Sequence, residues 1–271
     1  MDNLSLRDRM KDYESRNQYF LQRRTPVCIR VDMRAGHTFT KEFERPFDKM
    51  FGNAMIKTME YCAKNIENCV FSYCQSDEIT FILVDYKKLE TDAWFNYRTD
   101  KLCSITASMA TMAFNNFFYE EVGYWYWEDP LVANLKLPSR ESAKEIYFKS
   151  LEKGAMFDAR CFNIPKEEVC NLIYWRQLDA IRNSIQMVGQ ANFSHSELEG
   201  KTCDMIQDML QKERGINWND YPTRWKHGVA CIKKQDGNWE IDYDMPILKG
   251  DDRKYVDDRI FVGEYIKILV Y

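Results

Sequence analysis

The residues best suited to chemistry in this sequence are Asp32 and Asp77. Asp32 closes a short apolar run, Pro26-Val-Cys-Ile-Arg-Val-Asp32, and Asp77 lies in the polar segment Cys74-Gln75-Ser76-Asp77-Glu78 between two apolar runs. Brought together, two carboxylates can share divalent cations, and an all-oxygen ligand set suits Mg2+ rather than zinc. Phosphoryl transfer asks for that arrangement. Its transition state spreads negative charge over several oxygens, and paired metals ~3.5–4 Å apart can hold both the attacking and the leaving oxygen. On spacing alone a second reading stays open, with Asp32 as a turn cap and Asp77 as a solvated hairpin acid. The basic surroundings favour the first. Arg30, Arg34 and His37 crowd the exit of the first run, Arg45-Pro46-Phe47-Asp48 opens a helix whose free N–H groups favour anions, and Arg98 and Lys101 precede a second long helix. Their convergence on one end of a sheet would suit a nucleoside triphosphate.

The elements that must position these residues read as follows. Pro26 to Asp32 is a buried strand. Phe47 to Ile66 is an amphipathic helix with Met50, Phe51, Met55, Ile56, Met59 and Cys62 on one stripe. Cys69 to Tyr73 and Ile79 to Val84 form a hairpin around the polar segment. Lys101 to Phe118 is a heavily buried helix, and Ala155 to Ile164 is a strand. Strand, helix, strand, strand, helix, strand is the ferredoxin-like βαββαβ order of an α+β fold. It makes the first and third strands neighbours, which brings Asp32 close to Asp77. The connection 120–154, with Trp125, Trp127, Pro130 and Pro138, is long and reads as a lid or insertion. Pro165, with Glu167 and Glu168 behind it, starts a helix that runs to Met187 and stops at Gly189. A further helix is expected from Glu197 to Glu213. Val229 to Lys234 and Trp239 to Tyr243 flank Asp236-Gly237, a hairpin signal. The tail from Tyr255 to Tyr271 takes no assignment. The expected division is 1–164, a catalytic domain with 120–154 inserted, and 165–271, a helical and hairpin region packed on it.

Composition bounds the function. Of 271 residues, 45% are hydrophobic and 30% charged, the profile of a soluble globular chain. No apolar run reaches the ~18 residues of a membrane span, and the first residues lack a signal-peptide layout. The nine cysteines form no CxxC pair, so a reduced, cytoplasmic protein without a cysteine zinc site is expected. A net charge of −4 argues against coating nucleic acid by bulk charge, while leaving room for a local basic groove.

At these motifs the sequence becomes recognisable. Arg30-Val-Asp32-Met33-Arg34 with His37, Phe39 and Arg45-Pro-Phe-Asp48 resembles the opening motif of the tRNA-histidine guanylyltransferase family. Cys74-Gln-Ser-Asp77-Glu78-Ile-Thr-Phe81 resembles its second motif, and Asn96-Tyr-Arg98-Thr-Asp-Lys101 its basic third stretch. Phe157-Asp-Ala-Arg160-Cys-Phe-Asn-Ile-Pro165, the run from Tyr174 to Ser184, Phe193 to Lys201 and Gly215 to Asp220 are similar to the bacterial and archaeal guanylyltransferase-like branch. The resemblance spans about residues 5 to 250. It implies a palm-like domain that adds nucleotides to the 5′ end of tRNA in the 3′–5′ sense. ATP or GTP would activate the 5′-phosphate, and the 3′-hydroxyl of an incoming NTP would then displace the activating nucleotide. Carried over, Asp32, Asp77 and the Met33 carbonyl would bind two Mg2+, with Glu78 assisting or pairing with an arginine. Arg30, Arg34, His37, Arg45, Asp48, Ser76, Arg98 and Lys101 would handle nucleotide or the 5′ end. The resemblance also implies a homotetramer.

The sequence departs from the family pattern at three places. Met33 stands where Gly is usual, Gly36 stands where an aromatic precedes the His, and Ile181-Arg-Asn-Ser-Ile-Gln-Met187 replaces a His-Ile-Asn-Asn-Leu-Tyr-Asn stretch. The last departure favours the branch that resembles template-directed repairers of 5′-truncated tRNA over a dedicated tRNA-histidine enzyme. Arg176, Arg182 and Asn183 on the helix after the core, with Lys201 and Lys226, are the candidate RNA contacts. The alternative is a packed Trp175 among solvated charges. Asp158 is either a third acid or a partner of Arg160. A palm-type nucleotide cyclase and a catalytically silent RNA-binding module remain as competing functions. The first predicts turnover of nucleotide alone, and the second predicts tRNA binding indifferent to loss of Asp32 or Asp77.

Overall fold

The computed structural model describes residues 5–127, 137–234 and 236–262. Strand β1, Val27–Met33, alternates as its sequence requires: Val27, Ile29, Val31 and Met33 enter one core cluster, whereas Cys28 joins the cluster on the opposite face. Arg30 and Asp32 share the Cys28 face, because strand side chains repeat with period two. Strands β2, Cys69–Gln75, and β3, Glu78–Leu83, are joined by the two-residue turn Ser76-Asp77, with Ser76 at φ 49°. With β4, Phe157–Asn163, β5, Val229–Lys233, and β6, Trp239–Asp242, they form one sheet in the order β4-β1-β3-β2-β5-β6, every neighbour antiparallel. The first four strands have the expected ferredoxin-like order. The Asp236-Gly237 hairpin extends the same sheet beyond β2, so two of its strands are drawn from the region after residue 165.

Helix α1 is Leu6–Ser15, and the single turn α2, Gly36–Phe39, follows β1. Helices α3, Lys49–Asn65, and α4, Thr99–Trp127, cover the Val27 face through Met55, Met59, Leu102, Phe114 and Phe118. α4 runs well past Phe118. Phe114, Phe118 and Val122 recur at four-residue spacing and are fully buried, so the apolar stripe continues into the stretch expected to be a lid or insertion. That stretch is largely helical, because α5 spans Leu137–Lys153. Trp125 packs on Tyr147, ring centroids 5.2 Å apart. The side chain of Trp127 and all of Pro130 lie outside the described residues.

Helix α6, Lys166–Asn192, covers the other face, with Val169, Cys170 and Ile173 against Ile82, Val84 and Ala230. It does not stop at Gly189. A Cβ there would stand 2.8 Å from Ile206 Cγ2, so this glycine admits Ile206 against the helix rather than ending it. The expected helix over 197–213 is broken into α7, His195–Leu198, and α8, Cys203–Met209, with Gly200 between them at φ 72°. A one-turn α9, Thr223–Lys226, precedes β5, and α10, Lys254–Ile260, closes the described chain. Residues 263–271 of the unassigned tail lie outside the described residues. No described helix is long and apolar enough to cross a membrane, and all nine cysteines are free.

Candidate functional site

The antiparallel pairing brings the two acids together. Asp32 is opposite Glu78 across β1 and β3, so Asp77 is the next residue out, and the Met33 N–H donates to the Asp77 carbonyl at 3.1 Å. The Asp77 carboxylate rests on Gly36. A Cβ at position 36 would meet Asp77 Oδ2 at 1.9 Å, so only glycine leaves that carboxylate its place. Met33 needs no glycine freedom. It ends a regular strand, and its side chain is buried in the core.

Asp32 is half-buried. Burial pushes its carboxyl above the ordinary carboxylate value, and the charges of Asp77 and Asp158 push it further, against a smaller pull from Arg160 and Arg30. The charges acting on Asp32 are thus more negative than positive. Among the described residues no group of three or more His, Cys, Asp or Glu side chains is gathered as a metal-binding cluster. Mg2+ does not require one, since it is commonly held by one or two carboxylates with substrate phosphates and water. Two clustered carboxylates and the neighbouring Met33 carbonyl are hard oxygen donors that fit such an ion.

Asp77 lines a cleft of about 330 Å3 between the α2–α3 loop, α3, α6 and α9, a volume within the usual range for small-ligand sites. The cleft gathers His37, Arg45, Asp48, Ser76 and Asn183 from the predicted set, and adds Phe47, Gly52 and Trp225. Trp225 stacks on Phe47 with centroids 5.2 Å apart and rings 5° from parallel, and its ring fills the space a Cβ on Gly52 would need. Trp225 was not singled out from the sequence. It lies 178 positions from Phe47 and carried no local signal beyond a basic flank.

Several predicted residues have other work. Asp48 caps α3: its carboxylate accepts from Phe51 N–H at 2.8 Å and Glu44 N–H at 3.2 Å, while Tyr147 O–H donates to it at 2.6 Å. These bonds engage both carboxylate oxygens, leaving it poorly placed to meet a nucleotide. Arg176, expected to touch RNA, is buried, donating to Glu78 Oε1 at 2.7 Å and to Asp179 at 2.9 Å. Glu78 is held between Arg176 and Arg30, whose Nε is 3.7 Å from Oε2. Of the two roles expected for Glu78, the ion pair is the one seen.

Arg98 and Lys101 do not converge with the rest. Thr99 lies by Cys161, whereas Thr111 accepts from the Phe157 N–H at 3.1 Å beside the Asp32 end of the sheet. Twelve residues of α4 separate them, about 18 Å at ~1.5 Å per residue, and Arg98 is bonded to Asp100. Arg34 is exposed on the loop after β1. Arg182 is exposed and paired with Asp179. Lys201 is exposed on the loop after α7, and the Lys226 ammonium donates to the Asn219 carbonyl at 2.6 Å.

A ferredoxin-like antiparallel sheet, with paired acids at a strand end beside a nucleotide-sized cleft, defines a palm-type nucleotidyltransferase. The comparisons narrow the class. The sequence model of the tRNAHis guanylyltransferase family matches residues 7–165, and the chain belongs to that family. It is 30% identical over 239 residues to an uncharacterized protein of Acanthamoeba polyphaga mimivirus, covering 84% of this chain and 76% of the relative. It is 29% identical over 230 residues to the tRNA(His) guanylyltransferase of Saccharomyces cerevisiae, covering 77% and 82%. Among solved structures it resembles a bacterial tRNA(His) guanylyltransferase-like protein in complex with ATP, at TM-score 0.79 and 38% identity over 95% of this chain and 100% of the other. A bacterial guanylyltransferase-like protein in complex with GTP matches at TM-score 0.72 and 35% identity over the same shares.

Proposed function

We propose that this protein performs template-directed 3′–5′ nucleotide addition to the 5′ end of tRNA, as a repairer of 5′-truncated molecules. The observation that carries the reading is Asp32 brought beside Asp77 where β1 meets the β2–β3 turn, with Asp77 lining the cleft and Gly36 seating its carboxylate. The ATP and GTP complexes of its bacterial structural neighbours support a nucleoside triphosphate as the ligand.

In the first half-reaction an oxygen of the RNA 5′-monophosphate attacks the α-phosphorus of ATP or GTP. Pyrophosphate leaves, and the RNA end is capped by the nucleotide. In the second, the 3′-hydroxyl of an incoming NTP, losing its proton, attacks the 5′-phosphorus of the RNA. The activating nucleotide leaves as its monophosphate, and the chain is one nucleotide longer at the 5′ side. Asp32 and Asp77, with the Met33 carbonyl, would hold two Mg2+, whose Lewis acidity would offset the charge that develops on the phosphoryl oxygens. Arg45 and His37 supply cationic and hydrogen-bonding groups for the triphosphate at the cleft wall, Ser76 adds a hydroxyl beside Asp77, and Asn183 lines the opposite wall. Glu78 and Arg176 are positioning residues that hold the strand end against α6. Residues 1–164 with the 120–154 insertion would act as the catalytic domain and 165–271 as the region that meets RNA, in a cytoplasmic tetramer.

The test is an incubation with 5′-monophosphorylated tRNA lacking its first nucleotide, with ATP, NTPs and Mg2+. Extension at the 5′ end that follows the opposite strand is the expected product. Product from nucleotide alone would point to a cyclase. Addition confined to a guanosine on tRNAHis would point to the dedicated guanylyltransferase. RNA binding without any product would leave only the silent module.

A further inference from the structure

Beside the cleft, the Asp32 end of the sheet borders a second surface. Asp77 opens into the cleft, while Asp32 stands on the face of β1 that carries Arg30, directly opposite Asp158 of the edge strand β4. α6 covers β3 and β2 on this face but leaves β4 open: Arg160 and Asp158 side chains are 52% and 64% exposed. Above Arg30 lies Trp175, 53% exposed although it flanks the buried Arg176. The guanidinium carbons of Arg30 and Arg176 lie 5.9 Å and 4.5 Å from its ring centroid, and cation–π attraction holds the indole where it is. An indole this exposed has a face to offer, braced as it is by two cations, of which Arg30 lies one strand repeat from Asp32.

We propose that this shelf is the subsite for the RNA 5′-terminal nucleotide, with its base stacked on Trp175 and its 5′-phosphate held by Arg160. The inference rests on the 3′–5′ addition reading and assigns it an RNA-side surface distinct from the nucleotide cleft. The chemistry fits the occupant. An aromatic face accepts any base, which suits an end whose identity varies from one substrate to the next. Arg160 presently pairs with Asp158 at 3.3 Å, an exposed and therefore weak pair that a phosphate dianion can displace. Arg160 and Arg30 are in register across β4 and β1, so a phosphate at Arg160 lies two residues along the strand from Asp32, within reach of the triphosphate held on the Asp77 side.

The test uses a 5′-monophosphorylated hairpin RNA with 2-aminopurine as its first nucleotide. Binding to the unaltered protein and to Trp175→Phe should quench the fluorophore. Trp175→Ala and Trp175→Leu should lose the quench and raise KM for RNA on the order of 10- to 100-fold, with ATP affinity unchanged. Arg160→Gln should weaken the 5′-monophosphorylated RNA but not its 5′-hydroxyl counterpart. Unchanged quenching and KM in Trp175→Ala, or equal effects of Arg160→Gln on both RNAs, would overturn the shelf. The titration needs no turnover. A protein that quenches but never extends RNA defeats the addition reading alone, and one that extends RNA with Trp175→Ala at normal KM defeats the shelf alone.

Discussion

The Asp77 carboxylate occupies the place where a side chain on Gly36 would begin, with Oδ2 only 1.9 Å from where that Cβ would stand. The departure from the family pattern at position 36 is thus tied to the position of an acid 41 residues further along the chain. Gly36 has no left-handed backbone, so alanine there is conformationally free and its effect is steric. Gly36→Ala should displace the Asp77 carboxylate and lower kcat on the order of 100-fold, the typical result of a ~1 Å misplacement. Thermal melting should change little. Full activity in Gly36→Ala would show that Asp77 works from another position.

The raised pKa of Asp32 sets a direction for pH and for metal. The folded carboxyl holds its proton more tightly than the unfolded one, so ionising it costs stability as pH rises through the window from the ordinary carboxylate value to the folded one, and the folded state is favoured below that window. Asp32→Asn should therefore raise the Tm of the metal-free protein at neutral pH while abolishing nucleotidyl transfer. Mg2+ at ten times its Kd should stabilise the unaltered protein by ~1.4 kcal/mol and leave Asp32→Asn nearly unmoved. Differential scanning fluorimetry with and without Mg2+ reads both.

Asp48 separates a structural from a ligand role. Asp48→Ala removes the N-cap of α3 and strands the Tyr147 hydroxyl, and should cost ~1–3 kcal/mol in urea unfolding. Asp48→Asn can still accept from the Phe51 N–H, so it should recover most of that loss and keep KM for ATP within about threefold. A large rise in KM with full stability in Asp48→Asn would return this residue to the nucleotide.

The Arg176–Glu78 pair lies almost out of solvent, with side chains 9% and 6% exposed. Arg176→Ala leaves a buried carboxylate without its strongest partner and should destabilise by ~3–5 kcal/mol. Adding Glu78→Gln to Arg176→Met should recover much of the loss, because no unpaired charge remains. If Arg176→Ala instead weakened RNA binding with unchanged stability, the arginine would be a surface contact after all.

Features that depend on neighbours in sequence were legible before the fold was known. The short apolar run Pro26 to Asp32 marks β1, Asp236-Gly237 marks the last hairpin, and the order of elements makes β1 and β3 adjacent. α4 extends past the expected end at Phe118, because its four-residue stripe continues through Val122 into a stretch rich in tryptophan and tyrosine. Gly189 carries the signal of a helix stop, whereas its role, room for Ile206, depends on a separate helix.

By itself the sequence determined the family, the order of the core strands and the nearness of Asp32 to Asp77, since motifs and periodicity are local properties of the chain. Only the tertiary structure decided which charges are available. Arg176 meets Glu78 across 98 residues, Tyr147 meets Asp48 across 99, and Arg98 and Lys101 lie at the far end of α4 from the acids. A charged side chain near a site in sequence is free to bind substrate only if folding has not already given it a buried partner, and that depends on contacts between distant segments. Gly36 and Asp77 belong to both accounts: their types are written in the chain, but the 1.9 Å that makes one necessary to the other exists only in the fold.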